Sequence, residues 1–274
     1  MIMTSDGLQV IEVTPARLGQ LPCCGVKNTA HEGHRSKKAW LEEHIARGLR
    51  ARILLTEDNR QCGYIEYLPG EHAWRAVDAA GYMFIHCIWT FYKKYQHKGN
   101  AVRLVQACVD DARKAKMQGV AVIARKKPWL ASSDLFMKCG FEVAGTAPPD
   151  YELLVLKFRK NTPNPRFLPI PGDRPETYGP GLTIIRADQC PHSVKFAREI
   201  GEVAEREFQL KPRHVLLKSC HDARNAPTPY AVFSIIFNGT VLSDHQISKT
   251  RFRKMMKNQA APDAAAGRHP RVRR

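Results

Sequence analysis

Apolar and polar residues alternate along this chain with two periods, one of strands and one of helices. Leu8–Thr14 alternates at period two and predicts a short strand, while Ser36–Arg47 carries Trp40, His44 and Ile45 at helical spacing. Ala51–Thr56 and Gly63–Leu68 predict a hairpin around the polar turn Glu57–Arg60. Tyr82–Phe91 is a long apolar strand. Over Asn100–Lys116 one helical face collects Ala101, Leu104, Val105, Cys108, Ala112 and Ala115, with Arg103, Asp110 and Lys114 turned away. Gly119–Ala124 is a β-branched-rich strand, Leu130–Lys138 a short helix, and Phe141–Val143 with Glu152–Phe158 the closing strands. The order predicts an α/β fold, α+β in character, on one mixed sheet.

A break follows. The stretch from Asn161 to Gly181 holds six prolines and three glycines, and proline blocks both helix and central strand, so it reads as a linker. Beyond it the pattern is strand Leu182–Arg186, helix to about Phe208 with Val194, Ala197, Ile200, Ala204 and Phe208 on one face, and strand His214–Lys218. Ala231–Phe237 and Thr240–Ser243 then flank Asn238-Gly239, a strong hairpin signal, and Arg251–Lys257 is a basic helix. The expected organisation is a domain over residues 1–160, a linker over 161–181, a small domain over 182–258 and a disordered basic tail over 259–274.

Composition changes this picture little, apart from charge. The 274 residues carry 43 Lys and Arg against 26 Asp and Glu, a net charge of +17. From Lys249 to Arg274 there are nine basic residues and one acid, so +8 of it sits at the end of the chain. The remainder describes a mildly basic globule without the aromatic-interleaved basic face of a nucleic-acid binder, so nucleic acid is disfavoured as a partner. No apolar run is long enough to span a bilayer, and the first residues lack a secretory pattern; the expected location is the cytoplasm, with no membrane partner. The eight cysteines are expected as reduced thiols rather than a disulfide framework. Cys23, Cys24, His31 and His34 do not match zinc spacings, so no metal is expected.

The chemistry gathers where Tyr82–Phe91 ends. A basic turn, Gln96-His97-Lys98-Gly99-Asn100-Ala101, opens the amphipathic helix. Unpaired amides at a helix start, the positive helix dipole, Gly99 for close approach and Lys98 for charge make an anion cradle suited to a pyrophosphate. That turn, between a strand and a helix, together with the later Phe136-Met-Lys-Cys-Gly-Phe141, resembles the GNAT N-acetyltransferases over residues 8–158. The resemblance implies acetyl-CoA as acyl donor, with the backbone of Trp89, Thr90 and Phe91 binding the pantetheine arm and the amides of Gln96 to Ala101 holding the pyrophosphate. It places the thioester where the strands Tyr82–Phe91 and Gly119–Ala124 splay apart, and implies direct attack by the amine of a small molecule or amino acid. The chain departs from the family pattern at two positions: Phe136 stands where a tyrosine often protonates the thiolate, and Trp129 where an asparagine is common.

Several residues compete for the remaining roles. His86 is a candidate base or a hydrogen-bonded core histidine. Glu66 is a substrate-facing carboxylate or the exposed face of an edge strand. Ser132 and Ser133 are hydroxyls near the thioester or only a helix cap. Cys24, Trp74 and Arg75 could line the acceptor pocket, with a surface stacking pair as the other reading of Trp74-Arg75.

In the second unit, strand–helix–strand, then Thr228-Pro229 before a hairpin, resembles a thioredoxin fold with a cis-proline, and Cys190-Pro-His-Ser193 takes the place of its Cys-x-x-Cys. GNAT domain, linker and thioredoxin-like unit together resemble the YoaP-type acetyltransferases. Cys190 at a helix start beside a histidine is expected to have a depressed pKa. Three functions stand side by side: an N-acetyltransferase, a thiol-dependent redox or thiol-binding protein working through Cys190, and a basic nucleic-acid-binding protein. The turn at Gln96–Ala101 favours the first. A homodimer stays open.

Overall fold

The computed structural model describes residues 2–3, 7–18, 24–26, 28–126, 128–170 and 175–266. Chain order in the first unit is β1 (Ile2–Met3), β2 (Gln9–Glu12), α1 (Glu32–Ile45), β3 (Arg50–Leu55), β4 (Gln61–Pro69), β5 (Val77–Asp78), β6 (Tyr82–Thr90), α2 (Asn100–Lys114), β7 (Gly119–Ala124), α3 (Ser133–Met137), β8 (Glu142–Ala147) and β9 (Tyr151–Lys157). It continues through β10 (Arg166–Phe167) and α4 (Pro175–Tyr178) to β11 (Leu182–Ala187), α5 (His192–Phe208), β12 (Arg213–Leu217), α6 (Cys220–Arg224), β13 (Phe233–Phe237), β14 (Thr240–Ser243) and α7 (Lys249–Ala266).

An eight-stranded mixed sheet, β1-β2-β3-β4-β6-β7-β9-β8, organises the first unit. Its parallel pair is β6 with β7. Both faces of β7 are covered, which is why Gly119-Val-Ala-Val-Ile-Ala124 reads as an unbroken apolar run. One face carries α2, whose Leu104, Val105, Cys108, Val109 and Ala112 meet Ile65, Tyr67, Ile85 and Val122 of the sheet. Asp111 sits at the rim of that face. Arg52 grips it through two guanidinium nitrogens, at 2.6 to 2.9 Å, and the Tyr67 hydroxyl also donates to it.

The other face meets α1 and the second unit. One hydrophobic cluster runs from Trp40, Tyr64, Trp74 and Phe84 into Ile184, Ala197, Phe233 and Ile235. The second unit is a four-stranded sheet, β12-β11-β13-β14, with β11 parallel to β12 and antiparallel to β13. Helix α1 lies close to α5: a Cβ on Gly33 would stand 1.9 Å from the Pro191 carbonyl oxygen, so only glycine permits this approach.

Several expectations need correction. The proline-rich stretch contains β10, which pairs with β5, and so part of the expected linker is laid against the first unit. Helix α7 continues to Ala266, into the segment expected to be disordered, and residues 267–274 lie outside the described residues. The short helix expected from Leu130 begins at Ser133, because Ser132 caps it by accepting from the Asp134 amide. Among the described residues the cis peptide bond is Pro148–Pro149, so Thr228–Pro229 is not cis.

The Arg52–Asp111 pair yields a stability prediction. Burial pushes the Asp111 carboxyl up, but the Tyr67 hydroxyl and Arg52 overcome it and hold the group below the usual carboxylate range. A depressed carboxyl contributes stability above its unfolded-state pKa, about 3.9, and loses it as pH falls through the folded-state value. Asp111→Asn should therefore cost about 2 kcal/mol at neutral pH by denaturant unfolding, and the difference from the parent should shrink as the pH is lowered toward 3.

Candidate active site

Pairing between β6 and β7 stops early. It runs from Tyr82↔Gly119 to Ile85↔Val122, and β6 continues for five further residues without it. On its other side β6 pairs with β4, where the register jumps from Tyr67↔Ile85 to Glu66↔Cys87 and leaves His86 as an extra residue. A bulge of this kind bends the strand and re-aims side chains. Here it turns His86 and its neighbour Cys87 into the same cavity and leads β6 away from β7. The cleft between the two strands is closed at its base by Phe136, which is fully buried.

The cavity beside this cleft measures about 290 Å³. Its walls come from both units: Cys24, Lys37, Glu66, Arg75, His86, Cys87, Trp89, Phe91 and Trp129 from the first, and Gln189, Cys190, Pro191, His192 and Tyr230 from the second. Of the residues singled out in the sequence, Cys24, Glu66, Arg75, His86, Trp89, Phe91 and Cys190 are brought together here. Thr90, Trp74, Ser132 and Ser133 do not line it.

Glu66 is fully buried on a central strand, which overturns the exposed-edge reading. Its Oε2 accepts from Lys37 Nζ at 2.6 Å and from the Tyr64 hydroxyl, and its Oε1 accepts from the Gln189 side-chain amide. A carboxylate has about four lone-pair sites, so one is left for the cavity.

His86 accepts a hydrogen bond at Nε2 from the Trp74 amide at 2.8 Å. The proton therefore resides on Nδ1, which has no partner. Burial, with Arg75 and Lys37 nearby, holds the imidazole well below the usual histidine range. It is a neutral ring whose lone pair is occupied, and this removes it from the role of base.

Arg75 is buried as well, so the Trp74-Arg75 surface pair is overturned: its guanidinium donates to the carbonyls of Trp74 and His86. Trp74 itself packs edge-on against Trp40 and His44 in the core.

Cys190 differs most from expectation. Burial pushes its thiol up to about 11, and the His192 amide at the helix start and the Ser193 hydroxyl do not offset this. The Gln246 side chain approaches its sulfur at 3.6 Å and donates to Ser193 Oγ at 3.0 Å. Cys24 and Cys87 lie with their sulfurs 3.6 Å apart, and Cys24 is raised by that contact first and by burial second. Cys23 lies outside the described residues.

Trp129 explains one departure from the family pattern. Its indole donates to the Gln246 carbonyl at 2.8 Å, and its ring packs on His192 and Phe196 at 5.8 and 5.4 Å. The position is an anchor for the second unit. Ser132 is spent on its cap and on Asp134, and Ser133 is the first residue of the same helix.

At the far end of β6 lies the basic turn. Gly99 is the N-cap of α2 at φ +76°, without a side-chain cap. A Cβ built there meets nothing within 4 Å, so the helix start faces open space. The Gln96 and Asn100 side chains bond back to the carbonyls of Thr90 and Tyr95, at 3.2 and 2.9 Å, which shapes the turn, while the Gln96 backbone amide donates to the Lys93 carbonyl at 3.1 Å. His97 takes a positive φ of 60°, and Lys98 is exposed beside it.

Lys37, Gln189 and Tyr230 are site residues that the sequence did not single out. Lys37 offered a signal in retrospect, a lysine one turn before Trp40 on the apolar side of α1. Gln189 and Tyr230 offered none, since they reach the site only by docking of the second unit.

Three comparisons bear on this arrangement. Residues 214–254, from β12 into α7, match the family described as YoaP-like. The chain is 28% identical over 242 residues, 87% of its length and 94% of the relative's, to YoaP of Bacillus subtilis (strain 168), named an uncharacterized N-acetyltransferase. Among solved structures, one assigned as a streptothricin acetyltransferase from Bacillus anthracis, in complex with acetyl coenzyme A, aligns with 41% of this chain and 64% of its own, at 21% identity and a TM-score of 0.34. A spermidine N-acetyltransferase from Vibrio cholerae aligns with 55% of this chain and 94% of its own, at 12% identity and a TM-score of 0.40. Among the described residues no helix is long and apolar enough to cross a membrane.

The raised Cys190 thiol makes a direct prediction. Its alkylation by iodoacetamide, followed on the Cys190 peptide by mass spectrometry in the folded chain, should titrate with an apparent pKa of about 11. A value at or below about 8.5 would restore the activated nucleophile.

Proposed function

We propose that this chain, a YoaP-like protein built on a GNAT fold, is an acetyl-CoA-dependent N-acetyltransferase whose acceptor is a small amine bound between its two units. The observation that carries this reading is Gly99: a left-handed, uncapped helix start with open space above it, at the end of a strand that has parted from its parallel neighbour.

The residues present fit the donor. The amides of the turn and of the α2 start, from His97 to Ala101, with Lys98 alongside, would hold the pyrophosphate, the Gln96 amide being engaged by the Lys93 carbonyl. The free edge of β6 from His86 to Thr90 would pair with the pantetheine amides as an added strand would. Bound there, acetyl-CoA supplies an acetyl thioester that a neutral amine attacks, forming the C–N bond and releasing the thiolate.

The chain's own side chains then divide the work. Glu66 is the one carboxylate among the residues lining the cavity, and its remaining lone pair is the acceptor for the amine's proton. Lys37 and the Tyr64 hydroxyl hold that carboxylate in place. Phe136 gives the leaving sulfur no proton, so protonation falls to solvent entering the cleft. The second unit contributes Gln189, which orients Glu66, and Tyr230 and His192 as walls. Its Cys190 is a half-buried thiol pushed up by desolvation, and the redox reading through it is the weaker one.

Two measurements test the proposal. Gly99→Glu places a carboxylate where the pyrophosphate belongs, and calorimetric titration of the full chain should show acetyl-CoA affinity reduced by more than about 100-fold; unchanged binding sinks the cradle. Glu66→Gln should lower kcat by about 100-fold or more, with acetyl-CoA affinity unchanged within about twofold.

A further inference from the structure

Three charged side chains line the acceptor cavity, Lys37, Glu66 and Arg75, and none is more than 2% exposed. Lys37 and Glu66 neutralise each other at 2.6 Å. Arg75 has no such partner. Its guanidinium donates to two backbone carbonyls at 2.8 Å, approaches Gln189 Oε1 at 3.4 and 3.5 Å and lies 5.1 Å from the Tyr230 ring centroid. Among the described residues no ion pair includes it. The histidines that line the cavity, His86 and His192, are both held below the usual histidine range by burial, so the cavity carries one net positive charge.

A buried cation without a counter-charge is costly unless a ligand brings the anion. The donor's phosphates cannot. Arg75 is tied to the carbonyl of His86, and the four residues of β6 from there to Thr90 already span about 13 Å before the turn that leads to Gly99. The anion must therefore arrive with the acceptor. A cavity of about 290 Å³ with aromatic walls fits a small molecule.

Resting on the transferase reading above, we propose that the acceptor is an amine that also carries a carboxylate, an amino acid in chemical class, and that Arg75 recognises the carboxylate while Glu66 meets the amine. The cavity then has two opposed poles. Arg75 selects the acceptor, and Lys37, at 2.6 Å, holds the Glu66 carboxylate toward the amino group. The other anion available to Arg75 is the oxyanion that forms at the carbonyl oxygen of the thioester during transfer, and the two sources differ in what the acceptor must contain.

The test uses the full chain, acetyl-CoA and a panel of the common L-amino acids, each beside its carboxamide, with CoA release and acetylated product followed together. For each amino acid turned over, kcat/KM should exceed that of its carboxamide by about 100-fold or more, with the difference carried by KM. The corresponding N-acetyl amino acid should bind the protein in calorimetry while its amide does not, a readout independent of turnover and of any variant. Arg75→Met should erase the preference by raising KM for the acids. Equal turnover of acids and amides overturns the proposal, as does a variant that lowers kcat for both alike, the signature of oxyanion stabilisation. Failure of every acid while acetyl-CoA still binds sinks the carboxylate inference alone. Failure of acetyl-CoA to bind sinks the transferase reading with it.

Discussion

The single extra residue at His86 is the constraint on which the site depends. Without it, β6 would keep alternating and remain paired with β7, and His86 and Cys87 would face opposite sides of the sheet. With it, pairing ends at Ile85↔Val122 and both side chains enter one cavity. Because β6 is still held by β4 on its other side, through Gly63↔Thr90, the strand stays ordered while its free edge is exposed. A sheet edge is normally a liability, and here it is short and lies inside the sheet rather than at its rim. The bulge also explains the state of His86. Its Nε2 meets the Trp74 amide, which fixes the tautomer and holds the chain just before Arg75.

Around that bulge the second unit completes the site. Trp129 and Gly33 are two of the contacts that seat it, one by a large ring with a hydrogen-bond donor, the other by the absence of a side chain. Arg125 adds a polar clasp: it meets Asp244 at 3.0 Å, and the Tyr151 hydroxyl donates to the same carboxylate at 2.8 Å. These contacts deliver Gln189 to Glu66 and Tyr230 to Arg75. The same docking half-buries Cys190, and its thiol is pushed up although it sits at a helix start, because desolvation of a thiolate outweighs a few hydrogen bonds. A motif with the outline of a redox centre thus becomes part of a wall.

The sequence by itself determined the elements and their order. The unbroken apolar run of β7, the amphipathic face of α2 and the Asn238-Gly239 turn are local patterns, and these three features sit within a few residues of their expected places. The turn at Gly99 was legible for the same reason, since a glycine after basic residues at a strand–helix junction needs no distant partner to be understood. Tertiary structure alone decided the rest. Glu66 reads as an edge residue until β4 is seen in the middle of eight strands, and Arg75 as a surface residue until the second unit covers it. Lys37, Gln189 and Tyr230 lie far apart in the chain and acquire a role only where two units meet. Whether a histidine, a carboxylate or a thiol is charged depends on burial and on neighbours across the fold, and neither quantity is written in local sequence.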